Sequence, residues 1–456
     1  MPVTSTIAVS KALLKLSRLG GRGGGSALPG LVAERLDPSI GRELAARIPH
    51  GSIIITGTNG KTTTAKMLAQ ILTDHGERLV TNRAGSNLSR GVVSSLIEFA
   101  STSGQFSQTM GLFEVDEAAM PAVCEMVQPK IIVVLNLFRD QLDRYGELDT
   151  TARLIASGIA ATNAQVYLNA DDPLVASLAR AAGVGRVTYF GINAAPVSKL
   201  LHDVTADSNN CPVCGRALVY SQNFFGHMGH YRCKENHFDR PKPAVAATNI
   251  KLEEGAVSGT IALPDKDQAA VTIHLPGLYN FYNALAATAV GFGLGVAPSA
   301  IIHSLERVEA AFGRVEKVTV DGRTLYVLLV KNPTGFNQVI QTFLLNKKQQ
   351  KVWIAINDNF ADGRDVSWLW DVAFEELQPH HHQISVSGLR ATDMALRLKY
   401  ADIPAHDVDA SIKSSLNQFV MQIPVGGTGY LIPTYTAMLE TRRRLGRLTS
   451  LKGMWQ

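Results

Sequence analysis

The stretch Ile53-Ile54-Ile55-Thr56-Gly57-Thr58-Asn59-Gly60-Lys61-Thr62-Thr63-Thr64 constrains this chain more than any other. A β-branched apolar run that stops at a glycine demands a buried strand, and the Gly/Asn turn behind it demands a tight reversal. Residues 65–75 then carry the composition of a helix. Strand, glycine turn, Lys-Thr and helix is the layout that aims backbone N–H groups and a positive helix end at phosphate. In it Gly57, Thr58, Asn59, Gly60 and Thr63 would surround a nucleotide's phosphates. Lys61 would reach the outer ones, and the Thr62 hydroxyl would reach a magnesium ion. A full Walker A needs glycine at 55; with Ile55 the loop is a shortened variant.

At 456 residues the chain has room for two or three domains, each with its own core. A hydrophobic share of 46% with 18% charged residues belongs to a globular protein, and a net charge of +5 is too mild to argue for nucleic acid. Three of the four cysteines crowd into 23 residues, which fits a metal site and a reducing, cytoplasmic setting rather than a disulfide framework. Lys11 and Lys15 interrupt the N-terminal apolar residues, so this segment reads as a short basic amphipathic helix packed on the body, not a signal peptide or membrane span. The glycine-rich run over 20–26 reads as a hinge or an anion nest.

Beyond the loop, Leu79-Val80-Thr81, Met110-Gly111-Leu112-Phe113-Glu114, Ile131-Ile132-Val133-Val134-Leu135-Asn136 and Val166-Tyr167-Leu168-Asn169 read as strands buried on both faces. Separated by helices, they predict a parallel α/β sheet, with ligands at its carboxyl edge. Glu114 is the first candidate for magnesium, which takes one or two carboxylates beside phosphate oxygens and water. Asp116 and Glu117 also read as acids at a helix N-terminus. Cys211-Pro212-Val213-Cys214-Gly215 has zinc-knuckle spacing, and Cys233 supplies a third thiol. Position 236 is Asn, so His237 is the first choice for a fourth zinc ligand, with His227 and His230 as alternatives. Cys124, flanked by Ala122 and Val123, reads as core.

Further on, Asn280 and Asn283 share a face of an alanine-rich helix and can hold an adenine edge. A helix over 298–311 would end at Gly313, placing Arg314 to reach a phosphate. A second α/β unit begins at Leu325, and His380-His381-His382 reads as a solvated turn.

With these pieces placed, the chain resembles the Mur ligases, which join an amino acid to a carboxylate through an ATP-made acyl phosphate. The residues that carry the resemblance are Gly57-Thr58-Asn59-Gly60-Lys61-Thr62, Glu114, the stretch from Asn136 to Asp143, Asn280 with Asn283, and Gly313-Arg314-Val315-Glu316. Three departures stand out. Only about fifty residues precede the loop, so the substrate-binding domain of peptide-adding members is expected to be absent. Gln141 stands where the family often has His, and the ribbon is extra.

With Asp362-Gly363-Arg364-Asp365-Val366-Ser367-Trp368-Leu369-Trp370-Asp371, these departures resemble the Mur ligase-like subunits of lipid II isoglutaminyl synthases. The resemblance implies an N-terminal helix and glycine-rich segment over 1–46 and a Mur ligase central ATP-binding domain over 47–317. A zinc ribbon would be inserted at about 205–242, and a C-terminal α/β domain over 318–456 would contact a GatD-like glutaminase. It implies ATP, Mg2+ and Zn2+, with lipid II as substrate at the inner face of the cell membrane. The α-carboxylate of D-glutamate in its stem peptide would be amidated to D-isoglutamine with ammonia from the partner. Asp362 would orient the partner's catalytic histidine, with Asp358 and Asp365 as alternatives. Family ribbons usually offer four cysteines; this one has three.

A self-sufficient ligase of the folylpolyglutamate synthase type shares the phosphate loop and is the competing enzyme reading. Nucleic-acid binding is disfavoured because Tyr220, Phe224, Phe225 and Tyr231 have few basic residues among them.

Overall fold

The computed structural model of the chain describes residues 3–19, 28–82, 86–139, 148–183, 185–194, 209–253, 255–265, 267–309 and 315–447. The 20–26 run, Asp140, Gln141, Asp143, Gly313 and Arg314 lie outside these residues.

The apolar runs form the predicted sheet. Its strands are β1 (Ser52–Thr56), β2 (Leu79–Thr81), β3 (Met110–Glu114), β4 (Ile131–Val134), β5 (Gln165–Asn169) and β6 (Val187–Ile192). A separate hairpin, β7 (Leu218–Phe225) and β8 (Met228–Cys233), interrupts it before β9 (Val245–Leu252), β10 (Val257–Ala262) and β11 (Gln268–Ile273). The nine strands are ordered β11-β10-β9-β6-β5-β4-β1-β3-β2, parallel from β2 to β9 and antiparallel from β9 to β11. All five residues of β1 are buried, because alternate side chains enter different cores. Ile53 and Ile55 face the helices Lys61–Asp74 and Leu278–Gly293; Ile54 faces Ser89–Phe99, Met120–Val127 and Leu148–Ala160.

The N-terminal helices belong to that second core. Val3–Leu19 lies against Leu28–Leu36 and Ser89–Phe99, burying Thr6, Ile7, Ser10 and Leu14, while Lys11 Nζ donates to Ala100 O. Packing on the body, the expected outcome for this amphipathic segment, is what the fold shows.

The second sheet comprises β12 (Glu316–Val320), β13 (Arg323–Val327), β14 (Lys351–Ala355), β15 (Gln383–Ser387), β16 (Asp407–Asp409) and β17 (Thr428–Pro433), ordered β12-β13-β17-β14-β15-β16. Only the opening hairpin β12–β13 is antiparallel. The sequence gives β12 no apolar run, since it is a half-buried edge strand whose Glu316 pairs with Arg442 at 2.7 Å. Helix ends also differ from expectation: Lys61–Asp74 starts at Lys61, and Pro298–Glu306 stops well before 311.

Candidate active site

β1 ends at Thr56, and the helix Lys61–Asp74 follows with Gly60 as its N-cap. Gly60 holds φ at +92°, and a Cβ there would lie 2.2 Å from Asn283 Oδ1, so only glycine lets the loop come this close. The turn is stitched to the segment beyond β4. Thr58 N donates to Asn136 O (2.9 Å), Asn59 N to Asn136 Oδ1 (2.9 Å) and Phe138 N to Thr58 Oγ1 (3.0 Å).

Lys61 is buried; its Nζ donates to Gly57 O (2.6 Å) and lies 3.3 Å from Glu117 Oε1. Thr62 Oγ1 donates to Glu114 Oε2 at 2.8 Å. The parallel register pairs Ile55 with Glu114, which is why the acid that ends β3 lands beside the loop. Asn82 clamps the Glu114 backbone through both its N–H (2.9 Å) and its C=O (2.8 Å). Asp116 instead caps the 3-10 turn Glu117–Ala119 through Ala118 N. The three acids thus have three different duties. The carboxylate of Glu114 and the hydroxyl of Thr62 form an oxygen pair at the phosphate end, a donor set that fits a magnesium ion.

Asn280 and Asn283 are both buried on one side of Leu278–Gly293. Thr64 Oγ1 donates to Asn283 Oδ1 (3.2 Å), Asn283 Nδ2 to Asn280 Oδ1 (3.2 Å) and Asn280 Nδ2 to Pro276 O (2.8 Å). The pair therefore ties two helices together while lining a cleft between the two sheets. Asn59, Gly60, Thr63 and Asn136 are part of its polar lining. Phe138, Phe225, Met228, Leu275 and Tyr279 wall it on the central side; Val315, Leu329 and Val339 face them. The C-terminal domain reaches the phosphate loop itself, with Lys331 Nζ donating to Thr58 O (3.0 Å) and Asn332 Nδ2 to Asn59 Oδ1 (3.2 Å). Sequence alone gives Lys331, Phe138, Phe225 and Met228 no role. The one available signal is a Lys-Asn-Pro directly behind a buried strand.

The sulfurs of Cys211, Cys214 and Cys233 lie within 4.8 Å of one another, with Cys214 Sγ 3.6 Å from Cys233 Sγ. Among the described residues this is the one such group of metal-ligating side chains, and its thiols suit zinc. His237 is not in it. That residue is exposed, and its backbone N–H, rather than its ring, meets Cys233. Neither alternative joins the thiols: His230 Nε2 is bonded to Ile192 O at 2.7 Å, and the His227 ring sits beside Asp172 at the far end of the hairpin.

Asp362, Asp358 and Asp365 occupy the loop after β14, and none of them lines the cleft. Asp362 is buried, accepting Thr436 N (2.7 Å) and the Thr436 hydroxyl at the start of the helix Tyr435–Leu445. Burial raises its carboxyl above the ordinary value against these bonds. Asp358 lies 3.6 Å from Arg390, and Asp365 accepts Ser367 N at 2.8 Å. The histidine tract is not a solvated turn throughout: His382 is buried and stacked on His380, and its Nδ1 accepts Gln350 N. Cys124 is core, its thiol pushed up to about 12 by burial.

A phosphate loop, an acid at the neighbouring strand end and a second α/β domain closing over both define a protein of the Mur ligase class. The Mur ligase middle domain family matches residues 55–214, and the MurT ligase C-terminal family matches 329–438. Among solved structures, the chain is similar to a pseudomurein peptide ligase type C from Methanothermus fervidus (TM-score 0.71, 20% identity, 89% of this chain and 80% of that one). It is also similar to the Mycobacterium tuberculosis folylpolyglutamate synthase complexed with ADP and AMPPCP (TM-score 0.63, 15% identity, 96% and 98%). These two likenesses carry the fold alone. The chain belongs to the MurT family. It is 33% identical over 434 residues to the MurT subunit of lipid II isoglutaminyl synthase (glutamine-hydrolyzing) of Streptococcus pneumoniae R6, covering 94% of each. With that subunit in Staphylococcus aureus COL it shares 31% over 445 residues, covering 97% of this chain and 98% of the relative.

Proposed function

We propose that this chain is the ATP-using subunit of a lipid II isoglutaminyl synthase. It amidates the α-carboxylate of D-glutamate in the lipid II stem peptide, giving D-isoglutamine. A carboxylate accepts ammonia poorly until one of its oxygens becomes a phosphate leaving group. In the first step that oxygen takes the γ-phosphoryl group of ATP and ADP leaves. In the second, ammonia attacks the carbonyl carbon and the C–O bond breaks, releasing phosphate. Lys61 neutralises charge on the transferring group, and Thr62 with Glu114 holds magnesium, which supplies further charge stabilisation there. Arg314 is proposed to assist. Asn280 and Asn283 are proposed for the nucleotide's base side. Cys211, Cys214 and Cys233 hold zinc as a structural ion.

Ammonia comes from a GatD-like glutaminase partner. The loop after β14 supports this, since Phe360 within it and Leu389 next to Asn357 are large apolar side chains left exposed. On this reading Asp362 orients the partner's catalytic histidine, with Asp358 and Asp365 as alternatives. Among the described residues no helix is long and apolar enough to cross a membrane; on this reading the chain acts on its lipid-linked substrate at the inner face of the cell membrane. The observation that carries the reading is the Lys61, Thr62 and Glu114 constellation in a chain so similar along its length to MurT subunits. The test is co-purification with a candidate glutaminase, then product analysis with ATP, lipid II and either glutamine or ammonium. Amide product from both nitrogen sources in the complex is expected. An added amino acid instead of an amide would move the chain to the folylpolyglutamate-type reading.

A further inference from the structure

The hairpin β7–β8 carries the thiols at one end, and its other end does something unrelated to metal. The tip Phe225-Gly226-His227-Met228 is buried in the central domain. Gly226 has φ +55°, and a Cβ there would come within 2.9 Å of the Phe138 ring. The His227 ring lies 4.6 Å from the Phe138 ring, with Nε2 3.2 Å from Asp172 Oδ2. The tip is pinned from several sides: Gly229 N donates to Asp171 O (2.9 Å), Tyr231 OH to Ala170 O (3.0 Å) and Tyr220 OH to His227 O (2.9 Å). Asp172 also accepts Leu137 N at 2.8 Å, so the same carboxylate positions the segment that runs from β4 to Phe138. Phe138 in turn is bonded to Thr58 of the phosphate loop. The hairpin tip and the loop are thus parts of one rigid construction.

Two side chains of the tip face the cleft. Phe225 stacks on Phe138 (6.0 Å between ring centres) and meets Tyr282 edge-on (5.9 Å); Met228 lines the wall with it. We propose that Phe225 and Met228 form the wall that receives the base of the bound nucleotide, so that the ribbon is a specificity element of the active site. This rests on the reading that a nucleotide occupies the cleft with its phosphates at the 57–62 loop. Asn59 and Gly60 of the loop line the same cleft as Phe225 and Met228, so a nucleotide held at the loop has aromatic and thioether surface within that cleft for its base. A flat heterocycle stacks on such surfaces.

The test measures binding of MgATP and of magnesium tripolyphosphate, which has the phosphates and no base, to the full chain by calorimetry. Phe225→Ala and Met228→Ala are expected to weaken ATP about ten-fold while leaving tripolyphosphate unchanged, in line with the usual worth of base–aromatic stacking. Phe225→Leu, which keeps the apolar volume but not the flat ring, should retain the fold and still weaken ATP selectively. Equal weakening of both ligands, or unchanged ATP affinity in all three variants, overturns the proposal while Lys61→Ala still weakens both ligands and upholds the cleft reading. Wild-type chain that binds neither ligand would bring down the cleft reading and this proposal with it.

Discussion

Lys61 is held by Glu117 and Gly57 in this structure, so its removal has two separable consequences. Lys61→Ala should lower ATP-dependent amidation by roughly a hundred-fold or more, since a charge aimed at the transferring group is gone. It should also cost roughly 1–3 kcal/mol of stability, because the Glu117 carboxylate loses its partner. Adding Glu117→Gln should recover the stability in urea unfolding and not the turnover; recovery of both would show that Lys61 acts only through the fold. Asp362→Asn separates two other duties. Asparagine keeps an acceptor for Thr436 N, so the start of Tyr435–Leu445 should hold. Glutamine-driven turnover should fall sharply and ammonium-driven turnover should persist; equal loss with both nitrogen sources would remove Asp362 from the glutaminase role. His382 gives a pH signature. Burial first, and then the charge of His380, lowers its pKa from 6.5 to about 4. Between those values the unfolded chain takes up the proton and the folded one does not. Its contribution is therefore present above pH 6.5 and lost as pH falls toward 4, on the order of 3 kcal/mol. The stability deficit of His382→Asn at pH 7 should shrink by pH 5, and a pH-independent deficit would refute this.

At the scale of elements, what was legible in the sequence was local. The strand–turn–helix of the phosphate loop is specified by consecutive residues, and β3 announces its acid because Glu114 directly follows a buried run. The Cys211/Cys214 knuckle is equally local. What stayed hidden depends on packing between distant segments: Phe225 against Phe138, Lys331 against Thr58, and the edge strand β12, whose half-buried pattern carries no strong period. The fourth zinc ligand stayed open for a related reason, since sequence spacing cannot show that His237 meets Cys233 through its backbone N–H. The ribbon's own core is small, made of Cys211, Leu218, Tyr231 and Cys233 with a few partly buried neighbours, so a metal should contribute much of its order. Purified chain should contain zinc, and a chelator or Cys214→Ser should lower the melting temperature by several degrees. Metal analysis that finds no zinc, or a melt indifferent to chelation, would contradict the assignment.

At the scale of the whole molecule, the cleft exists only because the second domain closes on the first. Arg139 and Asp371 approach across the gap at 4.0 Å, but both are half exposed, and such a pair is worth little. The contacts that matter are Lys331 to Thr58 and Asn332 to Asn59, because they fasten the C-terminal domain to the phosphate loop rather than to a neutral surface. A hydrogen bond of this kind nets about 1 kcal/mol, so losing both should shift an open–closed equilibrium by roughly thirty-fold. Closure would then be coupled to whatever occupies the loop, since a ligand that binds only the closed form favours it in proportion to its differential affinity. The double variant Lys331→Ala with Asn332→Ala should show a larger radius of gyration in X-ray scattering without nucleotide. It should contract on adding MgATP and need several-fold more ATP for half-maximal turnover. If scattering and ATP requirement both match the wild type, these contacts do not govern closure, and the cleft must be held shut by the apolar faces of Val315, Leu329 and Val339.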